Sequence, residues 1–406
     1  MATKWTFMVY MAGNNSLSDD AGVDLKEMRR QGSTSEVNVL AFVKQEGSNA
    51  RRFKVAKGAD EPVEDLGPDV DSGDPRTVVE FIKWAVRTAP AARYALVLWN
   101  HGGGWRAADL EQLYAPAQRA AGVTRHELNK RAGQRVSRTL FSTTARQILA
   151  LPSDDREILA DDTTGHSLDT IELQRVLHAA NAAIGHHVDL LGMDACLMTT
   201  LEVAYQLRQE VGVIAGSEEE EPAQGWPYTS VLGALAANPD MSATELARAI
   251  VARYVESYQR SADVITQCAL DPGQVDAFAK LVDRLERGLR PLIGRSWQDL
   301  VRAQARSAHF AFDLVDLRTL CAGVIATGID QNVKAAAAAV ADALKVGSLV
   351  VAEGHRGRKV EQCAGVSVYF PPPTAAISRY YEDLEFAKRH RWDELLREYH
   401  HAVASA

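Results

Sequence analysis

The sequence is poor in cysteine, and this scarcity already limits what the chain can be. Its 406 residues include four cysteines, with no Cys-x-x-Cys pair among them: Cys196, Cys268, Cys321 and Cys363. Such usage argues against a disulfide framework or a zinc clamp and is typical of reduced thiols in the cytoplasm. We therefore predict no metal site and no cofactor that the chain requires.

Other absences exclude further classes of protein. No run of about 18 apolar residues is present, so the sequence predicts no membrane-spanning helix. The 45 basic and 53 acidic residues give a net charge of −8, which offers no general attraction to nucleic acid. The N-terminus shows no basic start followed by an apolar stretch and a cleavage site, so we expect a cytoplasmic protein.

Motifs of two other enzyme classes are missing as well. A His-Gly-Gly-Gly run is similar to the oxyanion motif of α/β-hydrolases, but the Gly-x-Ser-x-Gly elbow of that class is absent. A phosphate-binding glycine-rich loop with its lysine is also absent. Residues Asp69 to Glu80 are weakly similar to a calcium-binding loop, but a helix that starts at Asp74-Pro75 explains them without a metal ion.

What the chain does contain is an alternation of buried strands and helices over its first two thirds. Continuous apolar runs that end at polar residues or glycine predict strands covered on both faces: Trp5–Met11, Val37–Lys44, Tyr94–Asn100, Val188–Met193 and Val211–Ala215. Helices are predicted between them: Asp74–Arg87, Leu168–Ala180 and Cys196–Leu207. This alternation predicts an α/β/α sandwich with a parallel sheet.

The composition also divides the chain. We expect a core domain over residues 1–237 and a mostly helical region over 238–406, with a late strand at Gly365–Phe370 that returns to the core. Residues 106–157 interrupt the core and lack strand-length apolar runs. Between Tyr114 and Ala150 this segment has seven basic residues and one acid. Loops of this length are usually functional or disordered, so we interpret it as an exposed insertion.

A histidine and a cysteine follow two of the predicted strands. His101 ends the strand at Tyr94–Asn100, and Cys196 follows the strand at Val188–Met193. Because parallel strands end at the same edge of a sheet, we expect a thiol nucleophile and its proton carrier to meet there. The alternatives are a histidine that only ends a strand and a cysteine that is a small buried side chain.

The neighbours of these two residues add to the prediction. The glycines that begin at Gly102 allow backbone N–H groups to approach a ligand, so the N–H groups of Gly102 and Cys196 are candidates for an oxyanion hole. A helix that opens at Cys196 points its positive end at the sulfur and favours the thiolate. Asp194 opposes thiolate formation, which indicates another purpose, such as binding a cationic substrate group.

A second acidic segment follows the strand at Val211–Ala215. Four consecutive glutamates there are usually a solvated loop, but they precede an aromatic turn that is suited to a pocket wall. We therefore place Ser217, Glu218, Glu221 and Trp226 with Asp194 in the predicted substrate-binding set, and the sequence leaves open which acid from Glu218 to Glu221 lines the pocket.

Segments in order along most of the chain closely resemble the clostripain family of cysteine peptidases. They are Trp5–Asn15, Leu98–Trp105, Asp161–Gly165, Met193–Met198, Gly216–Pro222, Gly225–Tyr228, Gly365–Pro371 and Trp392–Leu396. The resemblance implies a caspase-like fold with a His–Cys dyad, in which His101 is the general acid/base and Cys196 the nucleophile. Asp194 matches the acid that selects Arg or Lys before the cut.

The resemblance also implies features of maturation. Members of the family are often made as inactive precursors that cleave themselves between the dyad residues, and some respond to calcium. The sequence thus predicts a self-processing endopeptidase for protein or peptide substrates with exposed Arg or Lys, with no nucleic-acid or membrane partner. The alternative is a catalytically silent caspase-like scaffold that binds basic peptide segments.

Overall fold

A nine-stranded mixed sheet organises the residues that this computed structural model describes, which are 3–15, 17–58, 62–100 and 168–406. Its strands are β1 (Trp5–Gly13), β2 (Val37–Gln45), β3 (Ala50–Lys54), β4 (Glu64–Gly67), β5 (Arg93–Trp99), β6 (Val188–Asp194), β7 (Val211–Gly216), β8 (Ile265–Leu270) and β11 (Val350–Arg356). They lie in the order β11-β8-β7-β6-β5-β1-β2-β3-β4. A small antiparallel sheet contains β9 (His309–Phe310), β10 (Leu314–Asp316) and β12 (Ser367–Tyr369).

The centre of the large sheet confirms the five predicted strands. β1, β2, β5, β6 and β7 pair in parallel, and both faces of each are covered. In β1, Trp5 and Phe7 point into one core while Met8 and Tyr10 point into the other. A strand buried on both faces needs an uninterrupted apolar sequence, which is why these strands could be predicted from apolar runs.

Antiparallel strands, which the sequence did not predict, extend both edges of this sheet. On one side β3 pairs with β2, and on the other β8 pairs with β7 and with β11. β8 and β11 come from residues 238–406, so the large sheet draws on both predicted units. The division at residue 237 stays a prediction.

Helices cover both faces of the sheet, which confirms the predicted α/β/α sandwich. They are α1 (Ser18–Gln31), α2 (Pro75–Thr88), α3 (Thr170–Ile184), α4 (Leu201–Leu207), α5 (Tyr228–Ala237), α6 (Ala243–Ser257), α7 (Val275–Leu289), α8 (Ile293–Arg306), α9 (Leu317–Ile325), α10 (Gln331–Ala343), α11 (Glu385–Arg389) and α12 (Trp392–Ala404). Helices α1, α5 and α6 pack into one core, and α2, α3, α4 and α7 into the other. Among the described helices, none has the length and apolar character needed to cross a membrane.

Local sequence explains where two of the predicted helices begin. Asp74 caps α2 by accepting a hydrogen bond from the Arg76 N–H at 2.7 Å, and Pro75 occupies the first helical position. Asp169 caps α3 in a capping box with Glu172, whose side chain accepts from the Asp169 N–H at 3.1 Å. Each cap contributes about 1 kcal/mol because it satisfies an N–H group that the helix leaves open.

Candidate active site

The carboxyl ends of β5 and β6 lie side by side at one edge of the sheet. Trp99 is in register with Asp194, and the Asn100 N–H donates to the Asp194 carbonyl oxygen at 3.4 Å. Cys196 therefore stands two residues beyond a defined register position. His101, Gly102 and the basic segment 106–157 lie outside the described residues, so the roles assigned to them stay predictions.

The sulfur of Cys196 is held by the loop that follows β7. Cys196 is fully buried, and its Sγ accepts a hydrogen bond from the Glu221 N–H at 3.0 Å. The two loops also bond through their backbones, because the Leu197 N–H donates to Glu219 at 3.2 Å and the Thr199 N–H to Ser217 at 3.0 Å. An N–H that points at a sulfur stabilises its thiolate form.

The prediction that Cys196 opens a helix is wrong. Leu197 takes a left-handed conformation with φ of 64°, which breaks a right-handed helix directly after the cysteine. Helix α4 begins only at Leu201, where the Thr200 hydroxyl caps it by accepting from the Val203 N–H at 3.1 Å. The backbone donor at the sulfur is therefore the Glu221 N–H.

Asp194 is buried among hydrogen-bond donors. Its Oδ2 accepts from the Tyr228 hydroxyl at 2.8 Å and from the backbone N–H of Trp226 at 3.3 Å. Trp226 can pack here because residue 192 is glycine: a Cβ on Gly192 would lie 2.8 Å from the Trp226 ring. The acid at the end of β6 is thus fixed by the aromatic turn that precedes α5.

The first residues of the acidic loop are anchored to β8 rather than exposed to solvent. The Thr266 hydroxyl lies 2.8 Å from the Ser217 hydroxyl and accepts from the N–H groups of Glu218 at 3.1 Å and Glu219 at 3.0 Å. All four of these residues are buried. Sequence reasoning missed Thr266 because it did not predict β8.

The glutamates of this loop have separate environments. Glu218 Oε1 accepts from the Gly365 N–H at 2.9 Å, whereas Glu219 Oε2 lies 2.6 Å from Lys359 Nζ. Glu221 is buried and contributes its N–H to Cys196. Of the predicted substrate-binding set, the structure brings Asp194 and Trp226 together, while the side chains of Ser217 and Glu218 contact β8 and the C-terminal region.

The C-terminal region also holds the loop that carries Cys196. The Ser367 N–H donates to the Thr199 carbonyl at 3.1 Å, and Ser367 pairs with Thr200 in a parallel bridge. Residues far apart in sequence therefore fix both loops at the edge of the sheet.

A further group of titratable side chains lies behind the acidic loop. One ligand atom each of Glu218, Asp316 and Cys363 lies within 4.8 Å of the others, and the three residues are buried. Burial, together with Glu218, Asp316 and Glu219, raises the pKa of the Cys363 thiol, so this thiol stays protonated at neutral pH. Burial likewise raises the pKa of the Cys321 thiol.

Solved structures show the same fold over nearly the whole chain. One is a secreted C11 cysteine protease from Bacteroides thetaiotaomicron in complex with an irreversible peptide inhibitor (TM-score 0.67, 19% identity, 96% of this chain and 100% of that one). Another is an inactive zymogen C11 protease from Parabacteroides distasonis (TM-score 0.65, 19% identity, 96% and 98%). A third, from B. thetaiotaomicron, is named iotapain (TM-score 0.65, 14% identity, 96% and 100%). The fold is thus the caspase-like sandwich of C11 proteases, as predicted.

The sequence itself decides the family. No curated protein matches it. The model of the clostripain family matches residues 9–122 and 151–399, which is most of the chain. The chain belongs to the clostripain family of cysteine peptidases, which confirms the resemblance found in its motifs.

Proposed function

We propose that this chain is an endopeptidase that cleaves after Arg, and less efficiently after Lys, through a dyad of His101 and Cys196. The observation that carries the proposal is the position of Cys196 beyond the register pair of Trp99 and Asp194, with its Sγ 3.0 Å from the Glu221 N–H. His101 follows Trp99 by the same two residues as Cys196 follows Asp194. Because parallel strands end at the same edge of a sheet, two residues that stand equally far beyond one register pair are expected to lie close together.

The chemistry follows from these residue types. The Cys196 thiolate attacks the scissile carbonyl carbon, and the N–H groups of Cys196 and Gly102 stabilise the oxyanion that forms. When the carbon–nitrogen bond breaks, His101 gives its proton to the leaving amine. His101 then removes a proton from water, which attacks the thioester and releases the carboxylic acid and the thiolate.

Asp194 is the acid that we assign to the substrate's basic side chain. It is buried two residues before the nucleophile, and the Tyr228 hydroxyl and the backbone N–H of Trp226 hold its Oδ2 in place. A planar guanidinium can bind a carboxylate with two parallel hydrogen bonds, which an ammonium cannot do. Arg is therefore the preferred residue before the cut, with Lys second.

The proposal includes self-processing between Tyr114 and Ala150. This segment carries seven basic residues and joins the His101 part of the chain to the Cys196 part. Its support comes from the sequence and the family, since the segment lies outside the described residues. Intact-mass analysis and N-terminal sequencing of wild type beside Cys196→Ala test it: two fragments with a junction after a basic residue should appear in wild type alone. An active wild-type enzyme that stays one chain would rule out obligatory processing.

A substrate panel tests the activity itself. Purified protein should cleave fluorogenic peptides that end in Arg and Lys, and leave those that end in Asp or Leu largely intact. We infer no required cofactor, so the activity should survive EDTA, and added calcium tests whether this member responds to the ion. Absence of cleavage together with tight binding of basic peptides would instead identify a catalytically silent scaffold.

A further inference from the structure

Two carboxyl groups meet behind the loop that follows β7. Glu218 belongs to this loop and Asp316 to β10 of the small sheet, and both are completely buried. One oxygen of each lies within 4.8 Å of the other and of Cys363 Sγ. The contact therefore joins the loop beside Cys196 to the C-terminal region.

The N–H donors around this pair satisfy three of its four oxygens. Glu218 Oε1 accepts from the Gly365 N–H at 2.9 Å. The two oxygens of Asp316 accept from the Thr319 N–H at 2.7 Å and the Ala364 N–H at 2.9 Å. Glu218 Oε2 is buried and meets no hydrogen-bond donor or acceptor in the described part of the chain when both groups are taken as ionised. It is satisfied if it carries a proton and donates it to Asp316.

The charged groups nearby do not replace that proton. Glu219 adds negative charge beside Glu218. Glu353 does the same beside the buried thiol of Cys268. Lys359 lies 2.6 Å from Glu219, so this cation already has an acidic partner, and His355 contacts Glu353 at 3.1 Å. Both oxygens of Asp316 accept N–H bonds, which favour its ionised form, whereas Glu218 Oε2 accepts none in the described residues, so Glu218 is the member that holds the proton.

The electrostatics of the individual groups agree with this assignment. Burial, followed by the charge of Asp316, raises the pKa of Glu218 well above its ordinary value. Burial also raises the pKa of Asp316, although three N–H and hydroxyl contacts oppose the rise. Two ionised carboxylates this close in a dry interior would repel each other strongly.

We infer that Glu218 and Asp316 form a carboxylic acid–carboxylate pair that shares one proton, and that this pair positions the loop whose Glu221 N–H holds the sulfur of Cys196. Glu218 is then a positioning residue and not a pocket acid. The link to catalysis rests on the proposed function, whereas the shared proton does not.

A divalent cation, instead of a proton, is the alternative ligand of Glu218, Asp316 and Cys363. It would need the thiolate of Cys363 and the ionised form of both acids, yet three of the four carboxyl oxygens already accept N–H bonds. The raised pKa of the Cys363 thiol points the same way. The donor set therefore favours a proton over a metal ion.

The stability test compares Glu218→Gln, Glu218→Ala and Glu219→Gln over a range of pH. Because the folded pKa of Glu218 is raised, the folded protein binds more protons than the unfolded chain between the two pKa values, and wild-type stability falls as pH rises through that window. Glu218→Gln donates an N–H to Asp316 at every pH, so its Tm at neutral pH should equal or exceed that of wild type and lose this pH dependence. Glu218→Ala should lower Tm.

Glu219→Gln is the matched control, because the neighbouring glutamate is paired with Lys359 as an anion. It should lower Tm slightly and keep the wild-type pH dependence that Glu218 causes. A Glu218→Gln variant that loses as much Tm as Glu218→Ala would overturn the shared proton. So would a stoichiometric metal ion, measured by plasma mass spectrometry, that wild type holds and Glu218→Gln lacks.

The positioning role has its own readout. Glu218→Ala should lower kcat by about tenfold or more, since a displacement of the loop by about 1 Å misplaces the sulfur, with a smaller change in KM. We expect wild type to lose activity at high pH as Glu218 ionises, and Glu218→Gln should keep kcat near that of wild type and remove this loss. If wild type cleaves no Arg peptide, the proposed function fails while the Tm result still decides the proton. If Glu218→Ala keeps full kcat, the positioning role fails alone.

Discussion

The loops after β6 and β7 leave the same edge of the sheet, where two buried acids, Asp194 at the end of β6 and Glu218 after β7, have different environments. Asp194 faces hydrogen-bond donors, the Tyr228 hydroxyl and the backbone N–H of Trp226. Glu218 faces a second carboxyl group, that of Asp316, which favours a neutral acid. Burial alone therefore does not tell which acid can attract a cationic substrate, because the neighbouring groups decide its charge.

Different parts of the chain hold Asp194 and the loop after β7. Asp194 is fixed by Trp226 and Tyr228, which lie 32 and 34 residues further along the chain. The loop after β7 is fixed by Thr266 on β8 and by Gly365 in the C-terminal region. The contacts of Asp194 suit a group that binds substrate. The contacts of the loop after β7 suit a support that keeps Cys196 in place.

The largest expected effect comes from removal of the sulfur that both loops surround. Cys196→Ala should reduce cleavage by about 10⁴-fold or more, because no other group can form the thioester. Cys321→Ala is the matched control, since burial keeps that thiol protonated, and its turnover should stay close to wild type. Turnover by Cys196→Ala above a small fraction of wild type would contradict the assignment of the nucleophile.

A change at Thr266 should loosen the loop after β7 without touching Asp194. Thr266→Val keeps the shape but deprives the buried Glu218 N–H of its acceptor, which costs about 1–3 kcal/mol, whereas the Glu219 N–H keeps the Ser217 hydroxyl at 3.2 Å. We expect a lower Tm and a lower kcat with a small change in KM. Thr266→Ser restores the hydroxyl and should restore both values; a valine variant with wild-type Tm would show that the loop does not depend on this anchor.

A change at Tyr228 should affect Asp194, at the end of β6, without loosening the loop after β7. Tyr228→Phe removes the hydroxyl that donates to Asp194, a hydrogen bond to a charged group worth about 1.5–3 kcal/mol, so kcat/KM for Arg peptides should fall by about tenfold or more, chiefly through KM. Tyr399→Phe removes a buried hydroxyl that donates to Gln304 at 3.1 Å and serves as the control. Equal effects of the two variants would mean that Tyr228 acts through general stability.

Glu202 is surrounded by hydrogen-bond donors, like Asp194, but has a raised pKa, like Glu218. Its substitution should cause the smallest change, and only in the pH dependence of stability. Its Oε1 accepts from the Tyr369 N–H at 3.0 Å and the Tyr381 hydroxyl at 2.9 Å, yet burial raises its pKa to about 7. The raised folded pKa means that stability falls as pH rises from the unfolded value of 4.5 toward about 7. Glu202→Gln should reduce this slope in a plot of Tm against pH. A slope equal to that of wild type would assign the pH dependence to other groups.

These environments also show what the sequence can predict. The five central strands were readable because burial on both faces demands continuous apolar runs, and the start of α2 was readable because Asp74 and Pro75 carry local backbone preferences. The turn at Leu197 has no such signature, since leucine rarely adopts positive φ and does so here within contacts made by the loop after β7. Helix α4 consequently starts later than its apolar pattern suggested.

The partners of the acidic loop could not be predicted for a different reason. Thr266 and Asp316 are distant in sequence from Glu218, and the sequence did not predict either of their strands, β8 and the three-residue β10. Four consecutive glutamates look alike in a sequence, yet Glu218 meets a carboxyl group and Glu219 meets a lysine. Only the folded chain distinguishes an acid that is neutral from one that is paired as an anion.

The measurement that tests the account most directly is the selectivity of Asp194→Asn beside wild type. Both proteins should be assayed for kcat/KM with peptides that differ only in Arg, Lys or norleucine before the cut, and for the rate at which a small uncharged thiol reagent modifies Cys196. We predict that Asn at position 194 lowers kcat/KM for Arg by about 10²-fold or more, because the buried guanidinium loses its counter-charge, and leaves thiol modification nearly unchanged. An Asp194→Asn protein that keeps the wild-type preference for Arg, or a wild type that prefers norleucine, would contradict the assignment of Asp194 as the selecting acid.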